Sequence, residues 1–173
     1  MPSSYQAPSR KDKAHATTHS QSSKSNTSSD VATVQNILAS KGKDVFALQP
    51  ENTLLQAVET LRDKRIGALV VTNSDGELQG ILSERDIVRR LADTPGQTLP
   101  QQVKDIMTTN VEVCNPDDAL ISVLRKMTEG RFRHMPVVAD GTVVGVVTIG
   151  DVVNYRLNEL EYEALQLKQL IVG

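Results

Sequence analysis

Two short stretches of this sequence combine residue types that could hold a phosphorylated sugar. Gly80-Ile81-Leu82-Ser83-Glu84-Arg85-Asp86 and Gly145-Val146-Val147-Thr148-Ile149-Gly150-Asp151 each carry an apolar run that ends in a hydroxyl residue, with an aspartate three positions later. A strand leading into a helix at Ser83 or Thr148 puts the aspartate in the first helical turn. There the hydroxyl and the carboxylate can cap free backbone N–H groups reciprocally. The same helix N-terminus offers N–H groups and a positive dipole end to a phosphate, and the aspartate can accept hydrogen bonds from a ribose diol. The spacing fits both uses, a cap and a ligand site.

Charge placement bears on the choice. Arg85 falls in the first turn of its helix, where a cation is unfavourable by about 0.3–1 kcal/mol unless an anion joins it. Arg131 and Arg133 flank Phe132 just before an apolar run, and Arg65 stands where Arg131 would in the earlier stretch. Arginine is well suited to bidentate phosphate recognition. Catalysis finds less material. His134 is the only histidine beyond residue 19, and Cys114 lies twenty positions before it, so a metal site lacks ligands. Nucleophile-elbow, phosphate-loop and dinucleotide glycine patterns are all missing. The expectation is a protein that is not an enzyme, with Cys114 a small buried hydrophobe.

The elements that must position these residues occur twice. Val45 to Leu91 aligns with Val111 to Arg156 across one single-residue gap. Val45 falls on Val111, Pro50 on Pro116, Leu54 on Leu120, Gly80 on Gly145 and Asp86 on Asp151. The lead-ins Val34-Gln35-Asn36-Ile37-Leu38 and Val103-Lys104-Asp105-Ile106-Met107 correspond as well. Each unit predicts a short strand (Val45 to Leu48, Val111 to Cys114), then a helix with apolar residues three and four apart. Two nearly continuous apolar strands follow, joined at Asp75-Gly76 or Asp140-Gly141, the short signal for a tight hairpin. A second helix starts near Arg85 or Gly150. The order strand, helix, strand, strand, helix therefore occurs twice, and two units of about fifty residues can share a core that one would hold poorly.

Charge and composition exclude other classes. The 173 residues carry 19 Lys plus Arg against 21 Asp plus Glu, net −2, with 3% aromatic residues and no Trp. Nucleic-acid binding by bulk positive charge or by base stacking has no basis here. From Met1 to Asp30 twelve residues are Ser or Thr, with four basic against two acidic groups, +2, leaving 15 against 19, −4, for the rest. That leader reads as a disordered tail. No stretch reaches the roughly 20 apolar residues that span a bilayer, and a single cysteine suits a reducing compartment. The expected location is the cytoplasm, with no membrane partner.

These residues resemble the paired CBS domains, first named from cystathionine beta-synthase, whose tandem pair forms a Bateman module. The resemblance rests on Ser83 to Asp86, Thr148 to Asp151, Gly67-Ala68-Leu69-Val70-Val71, Arg133-His134-Met135-Pro136-Val137-Val138 and the lead-in Val103 to Met107, and it covers residues 33–158. It implies an α/β (α+β) fold of two β-α-β-β-α repeats packed as a pseudo-twofold pair. It also implies an adenosyl ligand, AMP, ADP, ATP, NAD or S-adenosylmethionine, bound in clefts between the domains. By that resemblance a first site comprises Val45, Gly67, Ala68, Leu69, Ser83 and Asp86, to which the charge placement adds Arg85. A second comprises Val113, His134, Met135, Pro136, Thr148 and Asp151, to which the charge placement adds Arg131 and Arg133. Asp86 and Asp151 would hold ribose, and the runs at Gly67 and His134 would enclose adenine. Val70 stands where the second copy has Pro136, so the two adenine walls differ.

The last helix runs past its counterpart. Val153, Leu157, Leu160, Ala164, Leu167 and Ile171 recur at spacings of four and three, a heptad seam. It either folds back on its own domain or forms a homodimer. The expected divisions are a tail (1–30), a first repeat (31–95), a linker and lead-in helix (96–110), a second repeat (111–158) and a helical extension (159–173). The expected function is an energy- or redox-state sensor in signal transduction that regulates an unidentified protein. The alternative is a dimeric scaffold that binds no nucleotide.

Overall fold

The computed structural model describes residues 31–173, and the Ser/Thr-rich leader with His15 and His19 lies outside them. In the first repeat the elements are β1 (Ala47–Leu48), α2 (Leu54–Lys64), β2 (Ala68–Thr72), β3 (Leu78–Ser83) and α3 (Glu84–Asp93), preceded by the lead-in helix α1 (Val34–Lys41). The second repeat has α4 (Leu120–Gly130), β4 (His134–Ala139), β5 (Thr142–Thr148) and α5 (Ile149–Val172), with a 3-10 turn at Val103–Asp105 as its lead-in. In the first repeat β1 pairs parallel with β2, which pairs antiparallel with β3. In the second, β4 and β5 form the antiparallel ladder. The expected strand at Val111 to Cys114 is reduced to a single parallel bridge between Cys114 and Val137. It is an edge segment with a partner on one side, and the residues before Cys114 turn toward a cleft described below.

The two hairpins differ where the alignment needs its gap. Asp140 and Gly141 both have positive φ, 50° and 79°, as a two-residue turn of the primed type demands. In the first repeat the turn is longer, running from Asn73 to Glu77. There the Asn73 side-chain oxygen accepts from the N–H groups of Asp75 and Glu77, and only Gly76 takes positive φ. The tight Asp-Gly hairpin expected there is thus replaced by an asparagine-centred loop. Arg65 and Arg131 end α2 and α4 in the left-handed conformation, φ 53° and 56°.

The core forms by exchange. α1 precedes the first repeat, yet Val34, Ile37 and Leu38 are buried with Cys114, Leu120, Val123, Met127, Met135, Val137, Val147 and Val152 of the second. Val103, ahead of the second repeat, is buried with Leu54, Ala57, Leu61, Leu69, Val71, Leu82 and Ile87 of the first. Each buried aliphatic side chain contributes about 1.5–3 kcal/mol of transfer free energy, so neither repeat closes its core alone. Three matched backbone hydrogen bonds fix the exchange. The N–H groups of Val34 and Gln35 donate to the carbonyls of Asp118 and Pro116, and that of Leu120 donates to Ala32. Their counterparts run from Val103 to Asn52, from Lys104 to Pro50 and from Leu54 to Gln101.

Two equivalent glycines admit the exchanged segments. A Cβ on Gly80 would lie 2.8 Å from both Met107 Sδ and the Thr108 carbonyl oxygen, and one on Gly145 would lie 2.6 Å from Leu38 Cδ2. Thr108 also exchanges both backbone hydrogen bonds with Ile81, adding a short rung to the first sheet. Gly80→Ala and Gly145→Ala should each lower stability in urea titrations by about 1–3 kcal/mol, as overpacking does. Gly80 should suffer more, because one of its neighbours is backbone. Gly150→Ala, whose Cβ meets only Thr148 Oγ1 at 3.7 Å, should be neutral or stabilising.

Candidate functional site

Both hydroxyl-aspartate pairs cap their helices. The Ser83 hydroxyl oxygen accepts from the Asp86 N–H at 3.3 Å, while Asp86 Oδ2 accepts from the Ser83 N–H at 2.9 Å and from its hydroxyl at 2.6 Å. Thr148 and Asp151 repeat the arrangement, with reciprocal bonds of 3.0 and 2.9 Å. The capping role is therefore realised. In Asp86 all these bonds land on Oδ2, which leaves Oδ1 available.

Asp86 also lines a cleft of about 710 Å³, within the range of small-molecule sites. From the first repeat come Gly67, Ile81, Ser83, Glu84, Arg85, Asp86 and Arg89. From the second come Gly130, Arg131, Phe132, Arg133 and His134, and its lead-in and entry add Thr108, Asn110, Val111 and Glu112. The cavity is thus not grouped by repeat. It joins Gly67, Ser83, Arg85 and Asp86, expected in one site, to Arg131, Arg133 and His134, expected in the other. Of the remaining expected residues, Ala68 and Leu69 in β2 and Met135 and Pro136 in β4 are buried and not part of its lining, and Val45, Val113, Thr148 and Asp151 are half-buried outside it. Arg89, Asn110, Val111 and Glu112 were not expected there. The signal for Asn110, Val111 and Glu112 is their place between the lead-in that ends at Met107 and the body of the second repeat, and that for Arg89 is its spacing of one helical turn after Arg85.

Four arginines (Arg85, Arg89, Arg131 and Arg133) and three carboxylates (Glu84, Asp86 and Glu112) line this cleft. Arg85, Arg131 and Arg133 are exposed, and Arg85 reaches across the repeats to donate to the Arg131 carbonyl at 3.5 Å. An anion between them gains from several cations at once, in a setting only partly screened.

His134 sits where the repeats touch. A Cβ on Gly67 would come within 3.2 Å of its ring atoms Cε1 and Nε2. Burial lowers its pKa below the ordinary histidine value, with Lys41 and Arg133 acting the same way and the Glu84 and Asp151 carboxylates opposing them. The ring is therefore neutral near pH 7. Cys114 is 1% exposed and burial pushes its thiol up to about 12, so it is an unreactive core residue. Among the described residues no cluster of three His, Cys, Asp or Glu could hold a metal ion, and no helix is long and apolar enough to cross a membrane.

The exchanged lead-ins, the paired repeats and the cleft across them define a tandem-repeat module. The chain belongs to the CBS-domain family, whose sequence model matches residues 34–93 and 103–158. It is 31% identical over 149 residues to the CBS domain-containing protein CBSX3, mitochondrial, of Arabidopsis thaliana, covering 82% of this chain and 72% of that one. It is 28% identical to the uncharacterized protein MJ1225 of Methanocaldococcus jannaschii and spans 49% of that protein's length. Among solved structures, the CBS-domain containing protein ATU1752 of Agrobacterium tumefaciens is 40% identical with a TM-score of 0.70, covering 72% of this chain and 99% of that one. The CBS domain pair of protein MJ0100, solved with 5-methylthioadenosine and S-adenosyl-L-methionine, is 28% identical with a TM-score of 0.67, over 75% and 98% of the two chains. CBS pairs are in general regulatory modules, and no catalytic family is identified for this chain.

The neutral imidazole sets a pH dependence. Because the folded pKa of His134 lies below the unfolded value near 6.5, the unfolded chain binds more protons as pH falls through that window, and stability falls with it. Below the folded pKa the loss levels off. The urea midpoint should therefore drop between pH 7.5 and pH 5.5, and His134→Gln should flatten the slope. An unchanged slope would place the histidine in a solvated setting.

Proposed function

We propose that this protein is a regulatory CBS pair that binds an adenine nucleotide in the cleft between Asp86 and the Arg131–His134 segment, and reports it as an energy- or redox-state sensor. The observation that carries the reading is the meeting, in one 710 Å³ cleft, of a capped ribose-type carboxylate and four arginines. Asp86 Oδ1 is available to a sugar diol, and the arginines suit phosphates. The complex of the related MJ0100 pair with 5-methylthioadenosine and S-adenosyl-L-methionine supports adenosyl recognition by this fold. In this chain the excess of arginine over carboxylate favours an anionic ligand such as AMP, ADP, ATP or NAD over the cationic sulfonium of S-adenosylmethionine.

The test is a thermal-shift titration with those five compounds. A ligand at 100 times its Kd stabilises the native state by about 2.7 kcal/mol, and the phosphorylated four should outrank S-adenosylmethionine. Asp86→Asn, which keeps an acceptor for the helix cap, should cut affinity about tenfold or more while costing at most about 1 kcal/mol of stability. If none of the five raises the melting temperature at millimolar concentration, the scaffold alternative prevails.

The proposal includes a homodimer formed through α5. Every residue from Glu161 to Gly173 is exposed, and Leu160, Leu167 and Ile171 of the heptad seam are 47%, 60% and 82% exposed. Folding back on its own domain does not cover that stripe, and a second copy of the same helix does so at little cost. Light scattering on a sizing column should return about twice the 18.9 kDa chain mass, and Leu160→Glu combined with Leu167→Glu should return the single chain. A wild-type monomer at micromolar concentration would remove the dimer from the proposal. A reducing compartment such as the cytoplasm suits the free buried thiol of Cys114.

A further inference from the structure

The last helix carries its charges in a pattern as regular as its apolar seam. Leu157, Ala164 and Ile171 take the a positions of the heptad repeat, and Val153, Leu160 and Leu167 take the d positions. Arg156 and Glu163 then fall at g, and Glu161 and Lys168 at e, the positions that flank such a seam on its two sides. All four are exposed. The face that α5 turns to its own repeat is a different one. Val152 is buried in the second core, Tyr155 packs against that core and Glu159 is half-buried. At about 100° per residue, that face lies about 130° round the helix from the seam, so the module leaves the seam open to a partner. Tyr162, Leu165 and Val172 are exposed as well. Asn158 and Gln169 interrupt their side of the helix, which makes no second seam.

We propose that α5 pairs with the α5 of a second copy as a parallel, in-register coiled coil, which sets both modules at the same end of the coil. The inference rests on the reading that the chain dimerises through this seam. In a parallel pair a g residue meets the e residue five positions further along its partner, and charges at e and g set helix orientation. Arg156 then meets the partner's Glu161, and Glu163 meets the partner's Lys168. Twofold symmetry makes each pairing twice, so all four contacts join opposite charges. Arg156 also bonds Glu159 of its own chain at 2.9 Å, and a guanidinium has further N–H donors for a second carboxylate. Antiparallel pairing that keeps the same six apolar positions in contact sets Leu157 against Leu167 and Leu160 against Ala164. Its axis then passes between Glu161 and Glu163, which brings each of these carboxylates against its own copy. Leucine at two d positions and isoleucine at one a position also suit two parallel strands.

Disulfide trapping on the full chain reads the orientation. Parallel pairing puts the two Ile171 positions in one layer, whereas antiparallel pairing sets Ile171 against Val153 and leaves the two Ile171 positions about 27 Å apart. Cysteines whose Cα atoms lie more than about 7 Å apart do not bridge. Oxidised Ile171→Cys protein should therefore run as a covalent dimer, and a mixture of Val153→Cys and Ile171→Cys chains should give no disulfide between the two kinds of chain. Adding Leu160→Glu and Leu167→Glu to Ile171→Cys should abolish the covalent dimer, which separates seam pairing from chance collision. In sedimentation equilibrium, Lys168→Glu should weaken the dimer about tenfold, and Glu163→Lys in the same chain should restore it. Antiparallel pairing predicts neither change, and melting curves should show the variants folded. A dimer that gives no Ile171 disulfide, that gives the Val153 to Ile171 disulfide instead, or that ignores the charge exchange overturns the parallel coil and leaves the homodimer standing. A wild-type monomer, or a dimer that the two glutamates fail to split, removes both. None of these measurements uses a nucleotide, so the proposed ligand is judged separately.

Discussion

The exchange of lead-in segments is the constraint on which the rest of the structure depends. Each repeat of about fifty residues is too small to bury an adequate core by itself. Here the missing wall is supplied by the segment that precedes the other copy: α1 over the second repeat, Val103 to Met107 over the first. The bonds that hold these segments are themselves duplicated. They end on the carbonyls of Pro50 and Asn52 in one copy and of Pro116 and Asp118 in the other. The turn before α2 and its equivalent before α4 therefore act as docking points for incoming chain as well as helix starts. Gly80 and Gly145 complete the arrangement, since any side chain there would occupy the space that Met107 and Leu38 need.

That exchange also decides what the cleft is made of. Once residues 102–108 are anchored on the first repeat, the chain that follows must cross back to the second. Asn110, Val111 and Glu112 are carried past Asp86 on the way. The carboxylate then belongs to one repeat and the facing segment Arg131 to His134 to the other, with Gly67 and the His134 ring in close approach between them. On the proposed reading a ligand held by Asp86 and by Arg131 or Arg133 ties the two repeats together. Its binding energy bears directly on their relative position, which is the one thing a two-repeat module can change without breaking either core.

The duplication was legible in the sequence because it shows in side-chain identity: paired prolines, paired glycines, paired hydroxyl-aspartate ends and apolar runs of matching length. The exchange was not legible, because the apolar pattern of Val34, Ile37 and Leu38 is the same whether it covers its own repeat or the other. The helix starts at Glu84 and Ile149 fell within a residue or so of the expected Arg85 and Gly150, since Ser83 and Thr148 are strong caps. Strand lengths were less legible. Val111 to Cys114 has strand-like composition, but a ladder needs a partner, and only Cys114 finds one, at Val137. The candidate site residues divide the same way. Ser83, Asp86, Arg85, Arg131 and Arg133 declared themselves by type, whereas Asn110 is an ordinary polar residue whose place in the cleft comes only from where the exchanged lead-in delivers it.

A residue that caps a helix and also faces a ligand site need not choose between the two. Asp86 is held by bonds to Oδ2 from the Ser83 backbone and hydroxyl whether or not a sugar is present, so the direction of Oδ1 is fixed in advance and no ordering cost falls on the ligand. The arginines are different. Arg85, Arg131 and Arg133 are exposed, and the bond from Arg85 to the Arg131 carbonyl is long, at 3.5 Å, so their side chains still have rotamer freedom to lose. On the proposed reading a nucleotide meets a rigid sugar acceptor on the first repeat and adaptable phosphate donors on both. Ordering of the site on binding is concentrated on the phosphate side, at the seam between the repeats, where a regulatory module would have to register it.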